Sequence, residues 1–325
     1  METASGITET FENGTFLVTG STGFLGKLLV EKLLRSCSVK NIAILVRNKK
    51  GLDASQRVAD IYKKPLFDRL RKEKPDFMNN IKVIDGNIEE ESLGLSIMDR
   101  NWIIENVNFV FHCAAQVKFN ETLEMASKIN IQGTCNLLKL ATQMINLKGF
   151  VHVSTAYSHC SRVEIREQYY PTPITATELQ NMFGVDELIE SKILGNWPNT
   201  YTFTKAIVEN VISTNENHLP ISIFRPSIIG CTKSEPEPGW LENFNGPTGI
   251  LTGLMVGFLR TLQLSKDKVT DIIPADYTAN ALISVMWDTV KRHQDCTQIK
   301  EQPKIYNYVS SADSPLKWAE YMEGM

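Results

Sequence analysis

Residues 16–34, FLVTGSTGFLGKLLVEKLL, run from an apolar segment through three regularly spaced glycines into a second apolar segment with helical periodicity. The pattern predicts a buried strand, a tight turn and a helix. Gly20 makes the turn, Gly23 lets the backbone approach a pyrophosphate, and Gly26 lets the helix pack closely on the strand. Because the first turn of a helix presents free N–H groups to anions, the stretch predicts a dinucleotide site. Its predicted contact residues are Thr19, Gly20, Thr22, Gly23, Phe24, Leu25 and Gly26.

Further short apolar segments are spaced along the chain. They predict strands at residues 42–46, 81–84, 109–111, 150–153 and 221–224, with helices at 129–145 and 202–213 among them. Strands that alternate with helices indicate a parallel sheet covered on both faces. The predicted fold class is therefore α/β, a Rossmann-type doubly wound parallel sheet with a smaller, irregular α/β substrate region.

Loop signals divide the chain into three parts. Residues 1–13 are polar and predict a flexible lead-in, and residues 14–230 carry the strand and helix pattern of an NADP-binding domain. From residue 231 the chain is rich in proline and glycine. Residues 231–325 predict a substrate-binding region, interleaved with the first domain.

Composition and charge exclude several classes of protein. The 34 basic and 37 acidic residues give a net charge of −3, so nucleic acid is not an expected partner. The six cysteines form no C-x-x-C pair, and no metal site is predicted. The longest apolar stretch, residues 250–264, is interrupted by polar residues and is shorter than the roughly 20 residues that span a bilayer. We expect an intracellular protein without a transmembrane segment.

A cationic run follows the second predicted strand. An NAD site usually places an acid at this strand end for the ribose 2′-hydroxyl, but Arg47 and Lys49 stand here, with Arg57 beyond them. These cations match a 2′-phosphate, so the run favours NADPH as the cofactor. The alternative is a basic loop that is open to solvent.

Tyr201 and Lys205 lie four residues apart in a predicted helix and therefore share one face. A neighbouring ammonium favours release of a phenol proton, so Tyr201 is the predicted general acid for a carbonyl that receives hydride. Lys205 is predicted to hold the nicotinamide ribose as well. At the end of the fifth strand, Thr155 is the first choice and Ser154 the second for a hydroxyl that binds the same carbonyl oxygen.

Other polar and small residues near the strand ends admit two interpretations. Ala114 and Ala115 follow the fourth strand, where small side chains let the cofactor lie close. His112 is either part of the site or a packed histidine at a strand end. Asn130 either orients Tyr201 and Lys205 or is an ordinary polar helix position.

An apolar residue recurs every four positions at Ile250, Leu254, Phe258 and Leu262, which predicts one helix stripe. Core packing is the first interpretation of this stripe. The alternatives are the wall of a tunnel for an alkyl chain and contact with a membrane surface.

Taken in order, the motifs of the chain resemble those of the alcohol-forming fatty acyl-CoA reductases of insects and other animals, which are extended short-chain dehydrogenases. The resemblance starts near residue 14 and rests on TGSTGFLG (19–26), HCAAQV (112–117), VSTAY (153–157), PNTYTFTK (198–205), RPSIIG (225–230) and GPTG (246–249). It implies reduction of a long-chain fatty acyl-CoA to a primary alcohol by two hydride transfers from NADPH, as in wax and ether-lipid synthesis. Tyr201 and Lys205 take the catalytic positions.

The resemblance also implies properties outside the site. Family members are found at the peroxisomal or endoplasmic reticulum membrane surface. The resemblance therefore implies contact with a membrane surface and a homodimer. Asn87 stands where the family usually has the aspartate that contacts adenine. The chain ends before the helical carboxyl-terminal domain of the family, so we expect a fragment of a longer protein. Two alternatives stay open: a thioester reductase that stops at the aldehyde, and a non-catalytic NADPH-binding relative.

Overall fold

A computed structural model describes residues 6–49, 51–182, 187–214, 219–295 and 302–323. Its strands are β1 (Thr15–Thr19), β2 (Asn41–Val46), β3 (Ile81–Asp85), β4 (Phe109–His112), β5 (Gly149–Val153), β6 (Ile221–Pro226), β7 (Ile228–Ile229), β8 (Ile272–Ile273) and β9 (Lys304–Tyr308). All except β7 and β8 form one parallel sheet in the order β3-β2-β1-β4-β5-β6-β9. The order reverses between β1 and β4, which opens a crevice at the carboxyl ends of the strands.

Helices cover both faces of this sheet. The described helices are α1 (Gly6–Phe11), α2 (Phe24–Ser36), α3 (Ala54–Tyr62), α4 (Asp68–Glu73), α5 (Ile97–Asn106), α6 (Leu123–Ser127), α7 (Gly133–Ala141), α8 (Ala176–Gln180), α9 (Glu187–Leu194), α10 (Thr200–Ser213), α11 (Pro247–Met255), α12 (Ala275–Asp295) and α13 (Trp318–Glu323). Of these, α2 and α12 pack on one face of the sheet, and α7 and α10 pack on the other. The predicted doubly wound α/β fold is confirmed.

Each strand contributes to two cores because successive side chains point to opposite faces. In β1, Phe16 and Val18 pack with α2 and α12, whereas Leu17 packs with α7 and α10. All five residues of β1 are buried. Burial on both faces explains why the strands appear in the sequence as continuous apolar runs rather than as alternating ones.

Residues 231–325 supply parts of the main domain. Helix α12 packs against β5, β6 and α2, and β9 pairs with β6 along its whole length. The two-residue strands β7 and β8, together with α11, lie outside the main sheet. Residues 14–230 and residues 231–325 therefore both contribute to the main sheet and its covering helices. The assignment of residues 231–325 to substrate binding stays a prediction.

The amino-terminal segment differs from the flexible lead-in that was expected for residues 1–13. Its described part, from residue 6, forms α1, and Phe11 at the end of this helix is fully buried. The Phe11 ring packs edge-on against Phe16 and Phe109, with centroid distances of 5.6 and 5.2 Å. Burial of one aromatic ring anchors an otherwise polar segment to the sheet. Residues 1–5 lie outside the described residues.

The prediction that residues 250–262 form one continuous helix with an apolar stripe in the core is wrong. Helix α11 ends at Met255, and Gly257 follows with a φ of +71°. A glycine in this left-handed conformation just past the last turn is a common helix terminator. Ile250 and Leu254 therefore lie on the helix, whereas Phe258 lies beyond it with 89% of its surface exposed.

Candidate active site

The glycine loop connects β1 to α2 and leaves no room for side chains. Gly20 has a φ of +69°, and a Cβ atom on it would lie 2.6 Å from the backbone nitrogen of Ala114. A Cβ atom on Gly26 would lie 2.2 Å from the carbonyl oxygen of Gly20. Gly23 caps α2 without any side-chain hydrogen bond. Because no side chain caps the first turn, its N–H groups remain available to an anion, which fits the pyrophosphate of a dinucleotide.

Thr19 connects the ends of β1 and β4. Its hydroxyl lies 2.7 Å from Nδ1 of His112 and accepts a bond from the Ala114 N–H at 3.3 Å. On the other side of the ring, His112 Nε2 lies 2.9 Å from the hydroxyl of Thr134, which donates to the carbonyl oxygen of Asn130. Because the Thr134 hydroxyl gives its own proton to Asn130, Nε2 of His112 must donate to it and therefore carries a proton. Thr19 and His112 are therefore buried and bonded to each other in the interior. This arrangement supports the interpretation of His112 as a packed histidine at a strand end.

Burial keeps the His112 ring neutral. It lowers the pKa of His112 to about 3, and the nearby Lys205 acts in the same direction. A histidine with this pKa carries no charge at neutral pH, so we assign it no acid–base role.

Tyr201, Lys205 and Thr155 meet at the carboxyl end of β5. Asn199 caps α10 by accepting the Thr202 N–H at 2.9 Å, which fixes where the helix begins. In the first turn of this helix, the Tyr201 hydroxyl interacts with the side chain of Thr155. Lys205 Nζ donates to the carbonyl oxygen of the last β5 residue at 2.7 Å. The three residues that the sequence singled out are therefore brought together.

Ser154, the second choice for the hydroxyl, points elsewhere. Its Oγ donates to a carboxylate oxygen of Glu209 at 2.5 Å, and both side chains are buried. The adjacent Thr155 instead faces Tyr201. Neighbouring residues of an extended segment point to opposite sides, so only one of the two hydroxyls can serve the crevice. The geometry favours Thr155.

The pKa values of the pair are set mainly by burial. Burial raises the pKa of Tyr201 to about 12, and the bond with Thr155 opposes this shift. Burial lowers the pKa of Lys205 to about 8, against the effect of Cys113 and Glu209. The lowering of the Tyr201 pKa that was expected from Lys205 is not observed, because burial dominates. At neutral pH Tyr201 keeps the proton that a general acid must donate.

Asn130 connects the loop after β4 to α10. It lies in a π-helical turn, Lys128–Gln132, an irregularity that often marks functional sites. Its Nδ2 donates to the Thr204 hydroxyl at 2.9 Å, and its Oδ1 accepts the Gln116 N–H at 2.8 Å. Because Thr204 precedes Lys205, the orienting interpretation of Asn130 gains support over that of an ordinary polar position.

The residues predicted for the adenosine end lie at the ends of β2 and β3. Arg47 is half exposed and pairs with the carboxylate of Glu89. Lys49 is exposed, beside the turn at Gly51. Asn87 donates from Nδ2 to Glu90 at 3.1 Å. Arg47 and Lys49 are therefore both exposed just after β2, and the arginine has an acidic neighbour in contact with it.

Ala114 and Ala115 follow β4 and are partly exposed at the crevice. The Ala114 backbone lies against Gly20, so the two strand ends approach each other closely at this point. Small side chains here keep the surface of the crevice flat next to the glycine loop.

A buried ionic cluster behind β5 was missed by sequence reasoning. Arg225, at the end of β6, donates from Nη2 and Nε to Glu209 at 2.6 and 2.9 Å. His159 Nε2 lies 3.0 Å from the same carboxylate. The available signals were the spacing of Glu209, four residues after Lys205, and the position of Arg225 at a strand end.

The doubly wound parallel sheet and the glycine cradle between β1 and α2 define a Rossmann-type NAD(P)-binding protein. The family described as "Male sterility protein" matches residues 18–282, and the chain belongs to this family. It is 40% identical over 320 residues to "Fatty acyl-CoA reductase wat" of Drosophila melanogaster and 42% identical over 321 residues to "Fatty acyl-CoA reductase 1" of Gallus gallus. These matches cover 96% and 97% of this chain but only 60% and 61% of the relatives.

Solved structures support the fold. The terminal R domain of the myxalamid PKS-NRPS pathway superposes with a TM-score of 0.66 at 21% identity, over 96% of this chain and 69% of that domain. A UDP-N-acetylglucosamine 4-epimerase from Methanobrevibacter ruminantium M1 gives a TM-score of 0.62 at 13% identity, over 96% of this chain and 81% of the epimerase. At these identities the likeness concerns the fold alone.

Proposed function

We propose that this chain is the reducing unit of an NADPH-dependent fatty acyl-CoA reductase, which converts a long-chain fatty acyl-CoA to a primary alcohol through the aldehyde. The observation that carries the proposal is the hydroxyl pair of Tyr201 and Thr155 at the end of β5, on the same edge of the parallel sheet as the glycine cradle. The identity of about 40% to proteins named fatty acyl-CoA reductases supports the choice of substrate. We assign binding of the acyl chain of the substrate to residues 231–325.

In this proposal the nicotinamide supplies hydride when it is bound. Tyr201 donates its proton to the carbonyl oxygen, and the Thr155 hydroxyl donates a second hydrogen bond to that oxygen. Lys205 holds the ribose and provides positive charge as the phenolate forms. In the first round the thioester carbon gains hydride, its oxygen gains the proton, and loss of CoA thiol leaves the aldehyde. Tyr201 then regains a proton from solvent and the oxidised cofactor is exchanged for a second NADPH. In the second round the aldehyde carbon gains hydride and its oxygen gains the Tyr201 proton, which gives the alcohol.

The ratio of NADPH consumed to CoA thiol released tests this function. We expect a ratio of two when the purified chain is incubated with NADPH and palmitoyl-CoA, because each thioester takes two hydrides. A ratio of one, with aldehyde accumulating, would support the reductase that stops at the aldehyde. NADPH binding without release of thiol would support the non-catalytic alternative.

The choice of NADPH over NADH is assigned to Arg47. We expect Arg47→Ala to raise the KM for NADPH about 10-fold and to leave the KM for NADH unchanged, since a charged hydrogen bond contributes about 1.5–3 kcal/mol and this side chain is half exposed. Steady-state kinetics with both cofactors measure the effect. Glu89→Gln is the matched control: it frees Arg47 from an exposed ion pair and should lower the KM for NADPH by up to about fivefold. An equal loss with both cofactors in Arg47→Ala would contradict the assignment.

Contact with a membrane surface is proposed for the segment around the end of α11. Met255, Val256 and Phe258 are 81%, 71% and 89% exposed. Clustered apolar exposure of this kind is uncommon on soluble monomers and fits an interfacial site. Within the described ranges, no helix has both the length and the apolar character needed to cross a bilayer.

We expect Phe258→Asp to reduce flotation of the protein with anionic phospholipid vesicles by about tenfold, since burying an aromatic side chain contributes about 1.5–3 kcal/mol. Val163→Asp is the matched control, because Val163 is fully exposed but lies far from this segment in the sequence. Equal flotation of both variants and the parent protein would contradict the assignment. The homodimer and the peroxisomal or endoplasmic reticulum location stay predictions.

A further inference from the structure

Helix α10 binds the segment that follows β5 through one line of side chains. Tyr201, Lys205 and Glu209 recur every four residues and therefore share one helix face. Their partners, in the same order, are the Thr155 hydroxyl, the Val153 carbonyl oxygen and the Ser154 hydroxyl. Residues 153–155 are therefore each contacted by a side chain from a different turn of α10.

Of these three contacts, the one made by Glu209 is the most firmly anchored. Arg225 and His159 also bind its carboxylate, and all three side chains are at most 2% exposed. Burial by itself raises the pKa of Glu209, but the bonds from His159 and Arg225 outweigh it and lower the value to about 2. The carboxylate is therefore charged and fixed, whereas the Tyr201 side chain is only partly buried.

We propose that Glu209 is a positioning residue, which fixes the end of β5 through the Ser154 hydroxyl and thereby holds the Thr155 hydroxyl against Tyr201. Glu209 touches neither substrate nor cofactor in this role, and Ser154 is a spacer rather than a catalytic hydroxyl. The inference rests on the proposed function, because that function gives the Tyr201–Thr155 pair its task.

The charge of Glu209 also reaches Lys205. The groups that face Lys205 from other elements are Cys113, after β4, and the neutral rings of His112 and His152. Burial lowers the Lys205 pKa to about 8, and the negative charge of Glu209, on the same helix, opposes this lowering. Removing this negative charge lowers the Lys205 pKa further, so the ammonium loses its proton at a lower pH. The alkaline limb of kcat/KM then moves to lower pH.

Two variants separate the anchoring effect from the charge effect. Ser154→Ala removes the link but leaves the Glu209–Arg225 pair, so we expect kcat to fall about 10-fold without movement of the alkaline limb, because small displacements at a reacting centre are costly. Glu209→Gln should lower kcat similarly and also shift the limb to lower pH. Neither variant should change the Kd for NADPH, measured by fluorescence titration.

Ser222→Ala is the matched control. It also deletes a buried hydroxyl from the same sheet, one that accepts from Thr289 at 2.7 Å, away from the crevice. A kcat for Ser154→Ala that falls no further than that of Ser222→Ala would overturn the proposal. If Glu209→Gln fails to fold, Ser154→Ala still decides.

Amide hydrogen exchange provides a readout that needs no turnover. We expect faster exchange at residues 153–157 in Ser154→Ala, and unchanged exchange there in Ser222→Ala. A wild-type chain that consumes no acyl-CoA would refute the proposed function, while unchanged exchange in Ser154→Ala would refute the anchor. The two failures are therefore distinguishable.

Discussion

Tyr201→Phe is expected to lower kcat for acyl-CoA reduction by about 10²- to 10⁴-fold, the usual contribution of a positioned general acid. The substitution removes only the hydroxyl that is bonded to Thr155. The ring remains, stacked on Phe119 with a centroid distance of 6.1 Å. Without the phenolic proton, the carbonyl oxygen has no donor of suitable acidity as hydride arrives, and the barrier rises.

Cofactor binding and stability distinguish this loss from a folding defect. We expect the Kd of Tyr201→Phe for NADPH and its Tm to stay close to those of the wild type, because Thr155 keeps its contact with the Tyr157 N–H at 3.2 Å. Stopped-flow measurement of NADPH oxidation in single turnovers provides the rate. A variant that reduces acyl-CoA at the wild-type rate would remove Tyr201 from the mechanism.

Gly26→Ala is expected to weaken NADPH binding by about 100-fold or more, since a displacement of about 1 Å at a positioned site has effects of this size. The new Cβ atom would lie 2.2 Å from the Gly20 carbonyl oxygen and 2.9 Å from the Ser21 Cα atom. Both are backbone atoms of the cradle, so the loop itself has to move. Alanine in a helix gains about 1 kcal/mol over glycine, but overpacking costs about 1–3 kcal/mol, and the clash prevails.

Gly6→Ala is the matched control for this variant. Gly6 also opens a helix, but a Cβ atom on it would have Trp287 Nε1 as its nearest neighbour, at an ordinary contact distance of 3.8 Å. We expect this variant to bind NADPH like the wild type in a fluorescence titration. Retention of NADPH binding in Gly26→Ala would show that the cofactor does not depend on the close packing of this cradle.

Local sequence patterns predicted the parts of the fold that depend on local physics. The apolar run at 221–224 marked β6, which extends to Pro226, and the three glycines marked the turn and the close helix contact. Both features follow from backbone conformation and from burial on two faces of a sheet, which leave a direct signature in neighbouring residues.

Features that depend on distant parts of the chain were not predictable in this way. Strand β9 joins the sheet beside β6, and Phe11 is buried under α12 and the sheet, although their sequence surroundings are polar. The choice between Ser154 and Thr155 also depended on distance, because both hydroxyls are adjacent in the sequence. Only the position of Glu209 in the folded chain shows that the Ser154 hydroxyl is used in a buried hydrogen bond.

The pKa of Tyr201 illustrates a different limit. The spacing of Tyr201 and Lys205 correctly placed them on one helix face, and it predicted a lowered phenol pKa. The sequence could not show how deeply the pair is buried, and burial reverses the direction of the shift. The role as proton donor survives this reversal, because a general acid must first retain its proton.

Two-step reduction by this chain would leave two cofactor hydrides on one carbon atom, so the deuterium content of the product measures it. The purified protein is incubated with palmitoyl-CoA and NADPH carrying deuterium at both nicotinamide C4 positions, and the product is analysed by mass spectrometry. We predict hexadecanol with two deuterium atoms on C1, absent with Tyr201→Phe. Aldehyde with a single deuterium as the final product, or no deuterated product at all, would contradict the claim.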